Sequence, residues 1–259
     1  MSHDDAGQEA RFPALHVKHV ARTRSTQDIV LHAARSGAAE GLCCLADEQT
    51  AGRGRQGRAW SAPAGSALLV SVLLRRLPAV ASGVPFAAGL ALVDALATTA
   101  GVSAGLKWPN DVLVGGRKLA GILCEVAPGG AQEGRVAIAL GLGVNLQVTA
   151  FPDGALGISL HELVDDPPDA ETLFRAWTDQ LWTRLVTLER RGVPAIVADW
   201  RQVAIGLGQP VTVRSAAGVL EGVAVDVEDD GALLVRSGDA VHRVLAGDVH
   251  IGTSTPSAH

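Results

Sequence analysis

Residues 49–60 read Gln-Thr-Ala-Gly-Arg-Gly-Arg-Gln-Gly-Arg-Ala-Trp, a loop that follows a short apolar run at 42–46. Three glycines alternate in it with three arginines: Gly52, Arg53, Gly54, Arg55, Gly57 and Arg58. Glycine lets the backbone pass close to a ligand, and arginine offers a rigid fork of donors for phosphate or carboxylate oxygens. Taken alone, the pattern is also typical of a solvated surface loop. Because it has few apolar anchors, we expect it to be poorly ordered until an anion binds.

Apolar patterns on both sides of this loop predict a domain of mixed α and β structure. The almost continuous apolar composition of 66–74 is typical of a strand covered on both faces, and Gly115-Gly116 is typical of a hairpin turn. Strands are predicted at 42–46, 66–74, 111–114, 119–126 and 136–146. Helices are predicted from Ser25 or Thr26 to Gly37, from Pro85 to about Ala100, and from about Ala170 to Arg190.

The pattern changes beyond Trp200. Glycine-containing turns, notably Asp229-Asp230-Gly231, separate short predicted strands at 210–214, 219–227, 232–236 and 241–245. This spacing is typical of a small all-β barrel of about 50 residues. The sequence therefore predicts an N-terminal tail at 1–17, an α+β domain at 18–204, a barrel at 205–253 and a C-terminal tail at 254–259.

Composition limits the classes of function. No apolar run reaches the ~18 residues of a membrane span, and residues 1–15 lack the layout of a signal peptide. We therefore expect a cytoplasmic protein without a membrane partner. The formal net charge of −5 argues against nucleic acid as a partner. The three cysteines form neither a CxxC pair nor a zinc set, so we expect reduced thiols within the fold and assign no metal ligand.

Three further segments accompany the loop at 49–60. They are Arg24-Ser25-Thr26-Gln27-Asp28, residues 107–125 (Lys-Trp-Pro-Asn-Asp-Val-Leu-Val-Gly-Gly-Arg-Lys-Leu-Ala-Gly-Ile-Leu-Cys-Glu) and Gly141-Leu142-Gly143-Val144-Asn145-Leu146. In this order the four segments closely resemble those of biotin–protein ligases, and the resemblance covers about residues 18–252. It implies an α+β fold, with a mixed-sheet catalytic domain of the class II synthetase-like kind followed by a small SH3-like β-barrel.

The resemblance also implies a reaction. Biotin–protein ligases use ATP and Mg²⁺ to convert biotin to biotinyl-5′-AMP and pyrophosphate, and then transfer biotin to a lysine of a biotin carboxyl carrier domain. Such a site needs neutral hydrogen-bonding groups for the uncharged ureido ring and cations for the carboxylate and phosphate.

Four neutral side chains are the candidates for the ureido ring: Ser25, Thr26, Gln27 and Gln49. Taken alone, Ser25 and Thr26 are better explained as helix caps and Gln49 as a solvated loop residue. The cap and ligand roles can coexist, because a helix N-terminus is also a natural site for an acceptor. The resemblance favours biotin binding, although Gln27 stands where Asn is frequent in the family.

Lys118 is the central charged candidate. The resemblance implies that this lysine contacts both the biotin carboxylate and the phosphate, and a solvated strand-end lysine is the alternative. Gly121, three residues later, is expected to leave room for the biotin ring. The loop is expected to bind the adenylate through its first four Gly and Arg residues: Gly52, Arg53, Gly54 and Arg55.

Three more residues are assigned to the site. Asp111 is expected to orient Lys118 or Arg55, or to hold Mg²⁺ through water, with a purely structural turn as the alternative. Asn145 and Trp60 are expected on the nucleotide side, and core packing is the alternative for Trp60. We count Lys118, Arg55 and Asp111 as the catalytic group.

Two departures from the family pattern bear on function. Gln56 stands where a further basic residue is frequent. Only about 20 residues precede Ser25, too few for the helix-turn-helix domain of bifunctional members, so the monofunctional type is expected. The alternatives are a lipoate–protein ligase, which shares the fold, a biotin-sensing regulator that binds DNA, and an inactive binding module. A homodimer is compatible with the sequence, which leaves the oligomeric state open.

Overall fold

The computed structural model describes residues 13–152 and 155–252. All of the expected C-terminal tail and residues 1–12 of the expected N-terminal tail lie outside this range. The larger sheet has the strand order β1-β2-β3-β7-β6-β5-β4-β8. Its strands are β1 His16–Thr23, β2 Leu42–Gln49, β3 Ala67–Arg76, β4 Gly105–Lys107, β5 Asp111–Val114, β6 Arg117–Val126, β7 Val136–Asn145 and β8 Ala204–Ile205. Two pairings are parallel, β1 with β2 and β4 with β8, and the others are antiparallel. The predicted mixed sheet is confirmed.

The edge strand β1 was not predicted from the sequence. Its residues His16–Thr23 are mostly exposed, so no alternation of apolar and polar residues marks it as a strand. Strand β2 is longer than predicted and ends at Gln49. Gln49 is therefore held by the sheet, and the interpretation of this residue as part of a solvated loop is wrong.

Three helices complete the first domain: α1 Thr26–Arg35, α2 Val84–Ala100 and α3 Ala170–Gln202. Helix α2 ends where predicted, because Gly101 adopts the left-handed conformation, with φ of +63°. The segment Pro78–Ala100 is the one described helical stretch with the length and composition of a membrane span, which the sequence analysis did not expect. Of its most apolar window, 67% is buried inside the protein. Helix α2 packs against α3, so its composition is that of a core helix.

Helix α3 extends beyond the predicted end at Arg190. Gly192, with φ of +77° and ψ of 178°, interrupts the helical backbone, and Pro194 lies in the first turn of the segment that follows. This second segment buries Ile196, Val197 and Trp200 in the core. The sequence therefore predicted where the first helical segment ends, but it did not predict the second segment, which follows Gly192.

The second sheet is antiparallel, with the strand order β12-β11-β10-β9-β13. Its strands are β9 Pro210–Ser215, β10 Gly218–Val227, β11 Leu233–Ser237, β12 Ala240–Val244 and β13 Asp248–Ile251. The first four agree with the prediction, and β13 was missed. Buried residues of this sheet, such as Val213 and Val235, belong to the same apolar cluster as Trp177 and Leu140 of the first domain.

Polar contacts also join the two sheets. The indole Nε1 of Trp108 donates a hydrogen bond to the carbonyl of Gly231 at 2.9 Å. Arg201 at the end of α3 pairs with Asp226 at 2.9 Å and with Asp229 at 3.2 Å. The second sheet is thus docked on the first domain, and its strand β13 lies beside the glycine and arginine loop, where Asp248 pairs with Arg58.

Candidate active site

A cavity of about 610 Å³ opens between the glycine and arginine loop, the centre of the large sheet and the end of β13. This volume is in the range of small-molecule sites. Twelve of the predicted site residues line it: Ser25, Thr26, Gln27, Gln49, Arg53, Gly54, Arg55, Trp60, Asp111, Lys118, Gly121 and Asn145. Gly52 does not. A Cβ atom at Gly52 would lie 2.4 Å from the carbonyl oxygen of Trp60, so this glycine is needed where two chain segments cross.

One end of the cavity is neutral, and α1 begins there. Ser25 occupies the N-cap position, but its side chain makes no capping hydrogen bond. Its Oγ is buried and has no hydrogen-bond partner among the described residues. Instead, Gln49 Oε1 accepts a hydrogen bond from the Thr26 amide at 2.8 Å. The capping interpretation of Ser25 is therefore wrong, and Gln49 satisfies a free N–H at this helix terminus.

Gln27 lies beneath this end and is 3% exposed. Its Nε2 donates to the carbonyl of Ala139 at 2.8 Å, and its Oε1 accepts from Ser71 Oγ at 2.8 Å. A Cβ atom at Gly141 would lie 2.8 Å from Gln27 Oε1, so the glycine gives this amide its space. Ser71 was not predicted from the sequence as a site residue, although a serine inside the apolar strand β3 is an unusual residue type there.

The other end of the cavity is charged. Lys118 Nζ lies 2.5 Å from Asp111 Oδ1, and Lys107 Nζ lies 3.0 Å from Asp111 Oδ2. Burial acts to raise the pKa of Asp111, but the charges of Lys118 and Lys107 outweigh it and hold this pKa below its ordinary value. Asp111 therefore stays ionised and orients Lys118. Lys107, which the sequence analysis did not assign to the site, shares the carboxylate.

Trp60 lies across the floor between these ends. A Cβ atom at Gly143 would lie 2.5 Å from Trp60 Cε2, so only glycine lets the indole rest on β7. The Lys118 amine lies 5.7 Å from the centre of the indole ring, which suits a cation–π contact. The Trp60 ring and the Lys118 side chain lie over Gly121. The expectation from the sequence was open space there for the biotin ring.

The backbone of Lys118 is tied to the chain that follows the cavity rim. Its N–H donates to the carbonyl of Leu156 at 2.7 Å, and its carbonyl accepts from Ile158 N at 3.0 Å. The Nδ2 of Asn145 donates to the carbonyls of Lys118 at 3.3 Å and Ile158 at 3.2 Å. The Asn145 amide thus fixes the position of Lys118, a role that the nucleotide-side assignment did not include.

The glycine and arginine loop is folded back on itself. Gly54 N donates to the carbonyl of Arg58 at 2.7 Å, and Trp60 N donates to the carbonyl of Gly52 at 2.9 Å. Arg53 pairs with Asp28 at 2.6 Å and with Glu125 at 3.1 Å.

The side chains of the loop are not equivalent. Arg58 pairs with Asp248 of β13. Arg53 and Arg58 are therefore already paired with carboxylates of this protein. Arg55 makes no ion pair within the described part of the chain, and burial lowers the pKa of its guanidinium, with Asp248 acting in the opposite direction. Arg55 is consequently the loop cation that is open to an anionic ligand.

Residues from the second sheet complete the wall, since His250 and Ile251 of β13 line the cavity beside Arg58. No sequence signal connects these residues to the loop, which lies almost two hundred positions earlier. Across residues 13–152 and 155–252, no group of three or more His, Cys, Asp or Glu side chains could hold a metal ion. Both oxygens of Asp111 are paired with lysines, so this carboxylate does not fit the role of a metal ligand.

Comparisons with known proteins agree with this architecture. Residues 19–145 match the biotin/lipoate A/B protein ligase family, and residues 206–252 match the biotin protein ligase C-terminal domain. The biotin–[acetyl-CoA-carboxylase] ligase of Mycobacterium tuberculosis is 37% identical, with 89% of this chain and 86% of that protein covered. The corresponding ligase of Paracoccus denitrificans is 35% identical, with 90% and 99% covered. A biotin protein ligase structure from Aquifex aeolicus in complex with biotin and ATP has the same fold, with a TM-score of 0.76, 22% identity, and 92% and 99% of the two chains covered.

The chain therefore belongs to the biotin/lipoate A/B protein ligase family. Within that family it is an enzyme of the biotin–protein ligase type, with the C-terminal domain of such ligases in place.

Proposed function

We propose that this enzyme activates biotin with ATP to give biotinyl-5′-AMP, and then transfers biotin to one lysine of a biotin carboxyl carrier domain. The observation that carries the proposal is a single cavity with a neutral, hydrogen-bonding end and a cationic end. The named activities of the relatives from Mycobacterium tuberculosis and Paracoccus denitrificans support it.

The neutral end suits the ureido ring of biotin. Within the described part of the chain, Ser25 Oγ is buried without a partner, and Gln49 Nε2 is left over once Oε1 accepts from Thr26. An uncharged group with one carbonyl and two N–H donors satisfies such groups without bringing a charge into the buried end. The Trp60 indole offers an apolar surface for the rest of the bicycle.

The cationic end suits the first chemical step. An oxygen of the biotin carboxylate attacks the α-phosphorus of ATP, an O–P bond forms, and pyrophosphate leaves with the electrons of the broken P–O bond. In this proposal Lys118 contacts both anions and Arg55 contacts the phosphate from the loop, which is supported by the position of both side chains in the wall of one cavity. Cations held in place before the reaction stabilise charge as it develops and bring two repelling anions together.

The second step consumes the mixed anhydride. The neutral amine of the acceptor lysine attacks the acyl carbon, a C–N bond forms, and AMP leaves with the electrons of the C–O bond while the amine loses a proton. Until then the anhydride must be kept from water, which the folded loop and β13 do from one side. The residues present do not fit a protein-bound Mg²⁺, so Mg²⁺ enters this proposal only with ATP and no step depends on it.

A lipoate substrate is the second candidate within the same family. A dithiolane ring carries no hydrogen-bonding groups, so it would leave the Ser25 hydroxyl and the Gln49 amide unpaired. Sites built around buried polar groups reject analogues that lack the matching groups. The neutral end therefore favours biotin.

The test is the intact mass of a biotin carboxyl carrier domain after incubation with the enzyme, ATP, Mg²⁺ and either biotin or lipoate. The expected result is the mass gain of one biotin, located on one lysine, with no gain from lipoate. The Lys118→Ala variant is the matched control for chemistry that depends on the cavity. A gain from lipoate alone, or no gain from biotin, would contradict the proposal.

A further inference from the structure

Ser71 of β3 lines the cavity at its neutral end, although no motif assigns it to the site. It is 1% exposed and lies in a strand whose residues are all buried. Its Oγ lies 2.8 Å from Gln27 Oε1 and 2.8 Å from Thr26 Oγ1. A single side chain thus contacts two members of the Ser-Thr-Gln motif.

The direction of the first bond follows from the Gln27 amide. Its nitrogen must be the atom that faces the carbonyl of Ala139 at 2.8 Å, because two oxygens cannot bond there. The other atom is then Oε1, which can only accept. Ser71 has one hydroxyl hydrogen, and it must be donated to Gln27.

The direction of the second bond follows from the first. With its hydrogen used, Ser71 can only accept in the contact with Thr26, so the Thr26 hydroxyl donates to Ser71. The reverse order would send the Thr26 hydrogen to Gln49 Oε1 at 3.1 Å and leave Gln27 Oε1 without this donor. Gln49 Oε1 has the Thr26 amide in either order, whereas Gln27 Oε1 gains only in the first. A buried acceptor without a donor is costly, so the first order prevails.

We propose that Ser71 is a positioning residue that sets the hydrogen-bond polarity of the neutral end. Ser71 Oγ accepts the hydrogen bond from the Thr26 hydroxyl. The lone pairs of Thr26 Oγ1 then face the cavity and accept a hydrogen bond from an N–H group of the ligand. Gln49, whose Oε1 is held by the Thr26 amide, presents its Nε2 to the ligand carbonyl. This inference rests on the proposed function, because a ureido ring is the ligand group that supplies one acceptor beside two donors.

The test compares biotin binding by calorimetry for the wild type, Ser71→Ala, Ser71→Thr and Thr178→Val. Thr178 is the matched control, since this residue is 1% exposed, its hydroxyl donates to the carbonyl of Phe174 within α3, and it does not line the cavity. Ser71→Ala is expected to weaken biotin binding about tenfold, as one buried hydrogen-bond partner is lost. The KM for ATP at saturating biotin should not change, and Ser71→Thr, which keeps the hydroxyl, should restore most of the affinity.

A double variant separates positioning from general support of the fold. Because Ser71 is inferred to act through Thr26, Ser71→Ala/Thr26→Val should bind biotin no more weakly than Thr26→Val alone. Additive losses, or wild-type affinity in Ser71→Ala, overturn the inference. If Ser71→Ala does not fold, Ser71→Cys replaces it, since a thiol has a similar volume and is a weak donor. An unchanged affinity there overturns the inference equally.

The same experiment keeps the two proposals apart. Formation of biotinyl-5′-AMP by the wild type is measured first and tests the proposed function without any variant. A wild type that activates biotin, together with a Ser71→Ala variant that binds it normally, contradicts only the role of Ser71. A wild type that neither binds nor activates biotin contradicts both.

Discussion

Lys118 and Asp111 are in direct contact at the cationic end of the cavity, with Nζ 2.5 Å from Oδ1. The second oxygen of the same carboxylate holds Lys107 at 3.0 Å. The Asp111 carboxylate thus holds two ammonium groups, and the three side chains together carry a net positive charge. Under the proposed function, a cation is thus already in place for the carboxylate and the phosphate, and no large movement of Lys118 is needed.

Replacing Lys118 by Ala should nearly abolish adenylate synthesis. One donor held at developing charge is typically worth about 10²–10³ in rate, and Lys118 is proposed to face two anions. Lys118→Gln should recover little, since an amide donates hydrogen bonds without the charge. The measurement is the release of pyrophosphate with biotin and ATP, and Lys18→Ala, on the exposed strand β1, is the control. A wild-type rate in Lys118→Ala would remove Lys118 from the catalytic group.

Replacing Asp111 by Asn should alter stability in a manner that depends on pH. The pKa of Asp111 is held below its ordinary value of about 3.9, so its contribution to stability is complete above that value and is lost as pH falls through the lower pKa of the folded state. Because Asp111→Asn leaves two ammonium groups without their partner, we expect it to lower the free energy of unfolding by about 2 kcal/mol at pH 7.

Urea unfolding between pH 7 and pH 3 checks this prediction. The difference between wild type and Asp111→Asn should stay constant down to about pH 5 and shrink below about pH 4. Asp166→Asn, at an exposed position, should follow the wild-type curve throughout. A difference that grows as the pH falls would mean that the lysines do not stabilise the Asp111 carboxylate.

Replacing Arg55 by Gly should impair retention of the adenylate more than its synthesis. Arg55 is the loop cation without an ion pair in the described structure, so we assign the ligand phosphate as its partner. Adenylate that leaves the cavity should label lysines of an unrelated protein, detected as attached biotin. Gln56→Gly is the loop control, because Gln56 already has φ of +55°, where glycine is not strained.

The outcome of the Arg55 experiment discriminates between two roles. Bystander labelling at the wild-type level, with adenylate still made, would refute retention by Arg55. A loss of synthesis as severe as that of Lys118→Ala would place Arg55 among the residues that stabilise the reacting phosphate. Labelling by Gln56→Gly as strong as by Arg55→Gly would assign the effect to loop flexibility.

Replacing Asp248 by Asn should loosen the loop from the second sheet. Arg58 of the loop pairs with Asp248, so the change removes a tie between two parts of the chain that are distant in sequence. Trypsin should then cut faster between Arg53 and Arg58, and biotin should protect both proteins by ordering the loop. Asp239→Asn, in an exposed turn of the same sheet, should not change the cleavage rate. Equal cleavage rates in wild type and Asp248→Asn, or no protection by biotin, would contradict the prediction.

The motif residues could be assigned to one site because four sequence segments resemble those of biotin–protein ligases, and twelve of these residues line one cavity. What each residue bonds to could not be predicted. Gln49 and Ser25 were assigned to biotin binding, with a solvated loop residue and a helix cap as the alternatives. Gln49 satisfies a helix N–H, and the buried Ser25 hydroxyl has no partner among the described residues. These hydrogen-bond partners depend on how β2 is placed relative to the start of α1. The local secondary-structure propensity of the residues does not determine this placement.

Two strands, β1 and β13, were not predicted because their sequences carry no strong apolar pattern. Strand β1 is an exposed edge without an apolar pattern, and β13 has only four residues. His250 lines the cavity because the second sheet packs on the first domain, through contacts such as Arg201 of α3 with Asp226, and no spacing in the sequence reveals this tertiary arrangement. Helices and strands with strong apolar patterns, such as α2 and β3, were predicted nearly to their ends.

The shared apolar core of the two sheets has a consequence for how this chain can be divided. Cutting it near residue 205 would expose the buried faces of both parts and leave the Trp108 indole N–H without its acceptor at Gly231. We therefore expect neither fragment to be soluble and folded alone. Grafting the last 50 or so residues from a relative would likewise exchange part of the substrate cavity, because His250 and Ile251 travel with them. We therefore expect that the activity of this ligase requires both domains together.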